Sequence, residues 1–201
     1  MDLNEMKKEL FYEPKHAMET VSDEEVKLAD EFCEGYKSYL DEAKIERESV
    51  EFFVKEAEKR GYTEFDNSKK YNAGDKLYFN NRGKAIILCV FGKKDISEGV
   101  KISAAHIDSP RLDLKPNPLY EDSSLAYFKT HYYGGIKKYQ WTAIPLALHG
   151  VVVKANGESV KVTIGEDDND PQFVVTDLLP HLAQDQMKQT MSEGIKGEQL
   201  N

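Results

Sequence analysis

The sequence predicts an α/β fold that passes into a β-rich region, and three observations carry that expectation. Two stretches near the start place apolar residues at helical spacing. A hairpin then leads into a short apolar run, Ile102–Ala105, that ends in His106-Ile107-Asp108-Ser109-Pro110. Beyond Pro116-Asn117-Pro118 the texture changes to short strand-like runs separated by turn residues.

Taken in order, residues 1–21 hold a short helix that Pro14 interrupts. Ser22-Asp23-Glu24-Glu25 is a capping-box signature, with Ser22 placed to cap and Glu25 to reach back. Val26, Ala29, Phe32, Cys33, Tyr36, Tyr39 and Leu40 follow at helical spacing and are expected in a core. A second helix is expected from Lys44 to Arg60, with Ile45, Val50, Phe53, Val54 and Ala57 on its apolar side and Gly61 as its stop. Tyr62–Phe65 reads as a short strand. Lys76–Asn80 and Ala85–Phe91 read as a hairpin turning at Asn81-Arg82-Gly83, with Leu77, Phe79, Ile86, Leu88 and Val90 inward.

Ile102–Ala105 is expected to be a strand delivering His106 and Asp108 at its C-terminal end, where ligands collect in α/β sheets. Side chains alternate along a strand, so residues two apart share a face. A neutral imidazole is a good zinc ligand, and a nearby carboxylate orients the ring and raises its basicity. His-x-Asp alone is a weak signal, and a strand-end histidine beside a turn-capping aspartate accounts for it better. After the boundary, strands are expected at Ala126–Tyr133, Ala143–Leu148, Val151–Lys154 and Val160–Ile164, with a tight turn at Asn156-Gly157 and a last strand at Phe173–Thr176. Residues from Ser192 onward read as a polar loop cut mid-course.

The longer pattern is more specific. His106-Ile107-Asp108-Ser109-Pro110-Arg111-Leu112, then Tyr133-Gly134-Gly135-Ile136, then Pro180-His181-Leu182-Ala183, resembles in residues and in order the aspartyl aminopeptidase family of dinuclear zinc metallopeptidases. The resemblance implies the start of a zinc-exopeptidase α/β/α domain over 1–116. Over 117–201 it implies part of an inserted β-rich dimerisation domain, which in that family builds homo-oligomers, commonly dodecamers. It makes His106 a metal ligand and Asp108 the catalytic-site acid that fixes its imidazole. His181 would face a subunit interface near an active site, and Arg111 would orient a substrate carboxylate. The implied cofactor is zinc, two ions per complete site, and the implied substrates are peptides cleaved at their N-termini. The family's other ligands and its general-base glutamate fall beyond residue 201, so this stretch alone is expected to be inactive. Asp185 stands where relatives often carry a second histidine, and Lys137–Thr142 replaces a Trp-x-Asp-Arg run. Preference for acidic N-terminal residues is therefore not carried over. The competing expectation is a non-catalytic interaction protein that uses its β-rich region to pair with itself or with an intact relative.

Composition narrows the partners. With 27 Lys and Arg against 36 Asp and Glu, the net charge is −9 and no basic block exists. That argues against nucleic acid, whose phosphates need a basic surface. No stretch approaches membrane-spanning length, and the charged N-terminus lacks the apolar run of a signal peptide. Cys33 and Cys89 are expected as buried free thiols, and a cytoplasmic location follows. His131 and His149 are expected to be structural or surface residues, lacking a carboxylate or cysteine at ligand spacing. His16 has no supporting constellation. The acidic stretch Gly165–Pro171 lacks the ligand spacing of a calcium loop and reads as solvated. Ser109 lacks the flanking glycines of a nucleophile elbow, and Gly134-Gly135 lacks the frame of a phosphate loop.

Overall fold

The computed structural model describes residues 2–12 and 14–201 of a mixed α/β chain. It divides into two compact units, Met1–Glu42 and Ala43–Asn201.

The first unit is helical. α1, Leu3–Leu10, opens with the Asp2 backbone N–H donating to Glu5 Oε2 at 3.2 Å. A 3-10 turn at Ala17–Glu19 follows Pro14, capped by His16 Nδ1, which accepts from the Met18 N–H. α2, Asp23–Glu42, begins with the expected capping box: Glu25 N–H donates to Ser22 Oγ at 3.3 Å, and Glu25 Oε2 accepts the Ser22 N–H at 2.8 Å. The stripe from Val26 to Leu40 was expected in a core, yet α2 has no buried residue and Phe32 is 76% exposed. An apolar stripe is buried only where a second surface covers it, and among the described residues of this unit only short α1 and one turn accompany α2. Cys33 is exposed for the same reason.

In the second unit, α3, Glu46–Lys59, buries Val50 and Ala57, with Ile45, Phe53 and Val54 half-buried, as the periodicity predicts. Gly61 ends it at φ +81°, a backbone region that suits glycine. β1, Thr63–Glu64, runs parallel to β2, Lys76–Asn81, which pairs antiparallel with β3, Ala85–Val90. The turn takes positive φ at both Arg82 and Gly83. Strict in–out alternation fails here. Adjacent Leu77 and Tyr78 are both buried, whereas Phe79, Leu88 and Val90 are exposed. Leu77 and Tyr78 are the two β2 residues flanked on both sides, pairing with Thr63 and Glu64 as well as with β3, so overlap of three strands decides burial. Cys89, on the outer strand, is exposed, which corrects the second buried thiol.

Ile102–Ala105 is not a strand. The segment belongs to none of the described sheets, and Ile102 is 82% exposed. Extended backbone becomes a strand only when a neighbour supplies ladder hydrogen bonds, and none of the described strands runs alongside. The next strand instead begins five residues after His106. β4, Arg111–Asp122, pairs antiparallel with β5, Leu125–Tyr133, across a turn in which Ser123 and Ser124 both have positive φ. Pro116-Asn117-Pro118 does not end β4; it falls in a register shift between Leu114 and Leu119, where missing proline N–H groups leave no gap in the ladder. The expected domain boundary near Asn117 thus lies within this strand.

β6, Leu148–Val153, and β7, Ser159–Ile164, form the hairpin predicted from Asn156-Gly157, with Gly157 at φ +85°. The strand expected at Ala143–Leu148 is not formed as such: Leu148 opens β6, Leu146 makes an isolated bridge to Phe173, and Thr142 just before the segment makes another to Val175. Those bridges feed a core of Val175, Ile195 and Leu200, against which Leu112, Ile136, Tyr139, Trp141 and Leu146 pack. Leu200 is 0% exposed, and its carbonyl accepts a hydrogen bond from the Thr130 hydroxyl. The stretch after Ser192, expected as a polar loop, therefore contributes two core residues.

Candidate metal centre

His106 and Asp108 sit in the unpaired stretch that leads into β4. The His106 side chain is 83% exposed. Its Nδ1 lies 3.1 Å from Asp108 Oδ1 and 2.9 Å from the Asp108 backbone carbonyl oxygen. Both partners are acceptors, so in the neutral ring Nδ1 carries the proton and Nε2 keeps its lone pair. That is the state in which a histidine binds a metal, with a carboxylate behind it fixing ring and tautomer.

The other oxygen of Asp108 is held from β5. Tyr133 Oη donates to Asp108 Oδ2 at 2.8 Å. This bond, above all, keeps the Asp108 carboxyl below the usual carboxylate range, and the same carboxylate pushes the Tyr133 phenol up. Tyr133 is the cross-strand partner of Arg111, whose guanidinium carbon lies 4.1 Å from the Tyr133 ring centroid. Arg111 is itself pinned: Nε to Asp113 Oδ1 at 2.7 Å, Nη1 to Glu46 Oε1 at 2.9 Å and to the Ser109 carbonyl at 3.2 Å. Burial works against its charge, but Asp113 and Glu46 outweigh it and hold the guanidinium more firmly protonated than usual. Just after Tyr133, Gly134 adopts φ +77°, and a Cβ there would stand 3.7 Å from Pro110. The two glycines were expected to allow a tight turn or close backbone approach; Gly134 supplies the left-handed backbone of a turn, while a Cβ there would meet Pro110 only at ordinary contact distance.

Of the residues singled out in the sequence, His106, Asp108 and Arg111 thus join one run of contacts. His181 does not; it is exposed, in the turn after Pro180. Tyr133, Glu46 and Asp113 were not foreseen as parts of this site. Among the described residues no group of three or more His, Cys, Asp or Glu side chains is placed to hold a metal, so this stretch offers a single ligand position of the expected kind.

A second arrangement gives His149 the structural place expected of it, with carboxylates that its sequence neighbourhood does not supply. Its side chain is 10% exposed and bridges two carboxylates, with Nδ1 3.0 Å from Glu48 Oε1 on α3 and Nε2 2.8 Å from Glu166 Oε1 in the acidic stretch after β7. The Glu48 side chain is 4% exposed. Burial alone would raise its carboxyl, but the His149 hydrogen bond, the Lys44 N–H and the nearby charges of His149 and Lys161 bring it below its ordinary value. These partners stand 101 and 17 residues from His149, a separation no local motif exposes.

Comparison with known proteins decides the family. The family model for aminopeptidase I zinc metalloproteases (M18) matches residues 39–200. The chain belongs to the M18 family. A probable M18 family aminopeptidase 1 from Clostridium acetobutylicum is 48% identical over 200 residues, covering 98% of this chain and 43% of that protein. The crystal structure of an M18 aminopeptidase from Thermotoga maritima superposes with a TM-score of 0.84 at 40% identity, over 94% of this chain and 41% of the other. The structure of aminopeptidase I from C. acetobutylicum gives 0.81 at 46% identity, over 94% and 42%. The chain therefore spans about two fifths of the length of these M18 relatives. Fold class and family agree with the resemblance read from the three sequence blocks, and the M18 family is one of zinc metalloproteases.

Proposed function

We propose that the protein to which this stretch belongs is a zinc-dependent metalloaminopeptidase that removes N-terminal residues from peptides, and that His106 is one of its zinc ligands. The observation that carries the reading is the pairing of His106 Nδ1 with Asp108, which in the neutral ring leaves the Nε2 lone pair for a metal on a largely exposed side chain. Asp108 orients that ring and stabilises the positive charge it shares with a bound metal. Zinc held there would supply Lewis-acid polarisation of a carbonyl and a water acidic enough to attack at neutral pH. A hydrolytic zinc takes about three protein ligands, so the bridging carboxylate, the general-base glutamate and the other ligands are proposed to come from sequence following residue 201. Residues 1–201 alone are accordingly proposed to lack peptidase activity.

The assignment of 1–116 to the catalytic domain and 117–201 to a β-rich dimerisation domain belongs to the same proposal, as do two zinc ions per site, a dimer as building block of a larger homo-oligomer, His181 at a subunit interface and a cytoplasmic location. Among the described residues no helix is long and apolar enough to cross a membrane. Arg111 was expected to orient a substrate carboxylate, but its donors already engage Glu46, Asp113 and the Ser109 carbonyl. Those bonds favour a part in holding the site together.

His106→Ala in the complete protein tests the central point. The expected result is loss of bound zinc together with peptide hydrolysis. Retained hydrolysis at normal zinc content refutes the assignment.

A further inference from the structure

We infer that Tyr133 is a positioning residue for the metal site, fixing the Asp108 carboxylate through its hydroxyl and, through that carboxylate, the ring of His106. The inference rests on the reading of His106 as a zinc ligand.

The need for such a residue comes from the backbone. His106 and Asp108 lie in a stretch outside every described sheet, so no ladder hydrogen bonds fix their orientation. A carboxylate that orients a histidine through one oxygen can still turn about its Cβ–Cγ bond unless the second oxygen is held. Tyr133 holds it: Oδ1 faces His106 at 3.1 Å while Oδ2 takes the phenol hydrogen at 2.8 Å. The bond has an ionised acceptor and is correspondingly strong.

The phenol is in turn well placed to act as a fixed point. Tyr133 is the last residue of β5 and pairs directly with Arg111 at the start of β4. Its ring lies under the Arg111 guanidinium, which is tied to Glu46 at the beginning of α3 and to Asp113 on β4. A continuous line of contacts thus runs Glu46–Arg111–Tyr133–Asp108–His106, from a helix and a two-stranded ladder to an imidazole on an unpaired segment. Phenylalanine at 133 would retain the stacking beneath Arg111 and lose only the bond that continues the line to Asp108.

The experiment is zinc affinity of the complete protein, measured by competition with a chelator, for the native sequence, Tyr133→Phe, Asp108→Ala and the double variant, with unfolding midpoints of the zinc-free forms alongside. Tyr133→Phe is expected to weaken zinc binding about tenfold or more, in the range seen when partners behind metal ligands are removed, and to have no further effect once Asp108 is alanine. Native affinity in Tyr133→Phe overturns the inference. Equal weakening in both backgrounds also overturns it, because the effect would then be general loosening rather than action through Asp108, whatever the midpoints do. His106→Ala separates the two levels. Unchanged zinc content there defeats the site assignment itself, whereas loss of zinc there with a silent Tyr133→Phe defeats only the role of the tyrosine.

Discussion

Replacing His149 by alanine is expected to destabilise the second unit by about 2–4 kcal/mol. The magnitude follows from what the imidazole leaves behind. Glu48 is 4% exposed at its side chain and loses its 3.0 Å partner, keeping the Lys44 N–H at 3.0 Å and a Lys161 ammonium at the longer distance of 3.5 Å. Breaking a buried pair from one side costs about 3–5 kcal/mol when the remaining charge is uncompensated, and the two residual partners bring the figure down. Glu166, on the other side of the ring, is more exposed and contributes little by itself. Chemical denaturation of native and variant proteins provides the assay, with Glu48→Gln in the His149→Ala background as the companion, since removing the stranded charge should recover part of the loss. The dependence on pH has a definite sign. The Glu48 carboxyl is held below its ordinary value of 4.5, so the folded form binds this proton less readily than the unfolded chain. Its contribution is complete above that value and disappears as acid carries the pH down through the folded one. The difference between native and His149→Ala should therefore shrink toward acid. A difference under about 0.5 kcal/mol at neutral pH, the range of ordinary surface changes, or one that grows on acidification, would refute the reasoning.

Two further substitutions probe the packing that supports the site. Leu200→Ala should cost about 2–5 kcal/mol, as for other fully buried leucines, read as a lowered denaturation midpoint; an unchanged midpoint would mean that Leu200 is not closing the core. Gly134→Ala should cost about 1–2 kcal/mol through its left-handed backbone rather than through collision, because the added carbon would meet Pro110 at ordinary contact distance. Zinc affinity should fall with it, as the Tyr133 phenol shifts relative to Asp108.

Elements governed by local chemistry were legible in the sequence. The Ser22–Glu25 box, the Gly61 stop, the Asn156-Gly157 hairpin and the apolar side of α3 all depend on residues a few positions apart. Elements governed by distant partners were not. Ile102–Ala105 has strand composition but none of the described strands beside it, α2 has a core-like stripe in which no residue is buried, and β4 continues past two prolines because β5 tolerates a shifted register. The site divides in the same way. His106 and Asp108 are two residues apart and were visible as a motif. The Tyr133 contact to Asp108 spans 25 residues, and that of Glu48 to His149 spans 101. A tyrosine inside a quoted sequence block was available as a signal, but only pairing with Arg111 reveals what its hydroxyl reaches.

The position of Leu200 bears on how this polypeptide assembles as it is made. The cluster that includes Leu112, Trp141 and Val175 stays open until Ile195 and Leu200 arrive to close it. On a ribosome, β4 and β5 could pair early, yet Leu112 would remain wet until nearly ninety more residues, counted from Leu112 to Leu200, had left the exit tunnel. Closure of so long a loop is slow compared with forming a hairpin. Until then Leu112 and Thr130 stand open to wrong partners, and the last turns of the unit close over them.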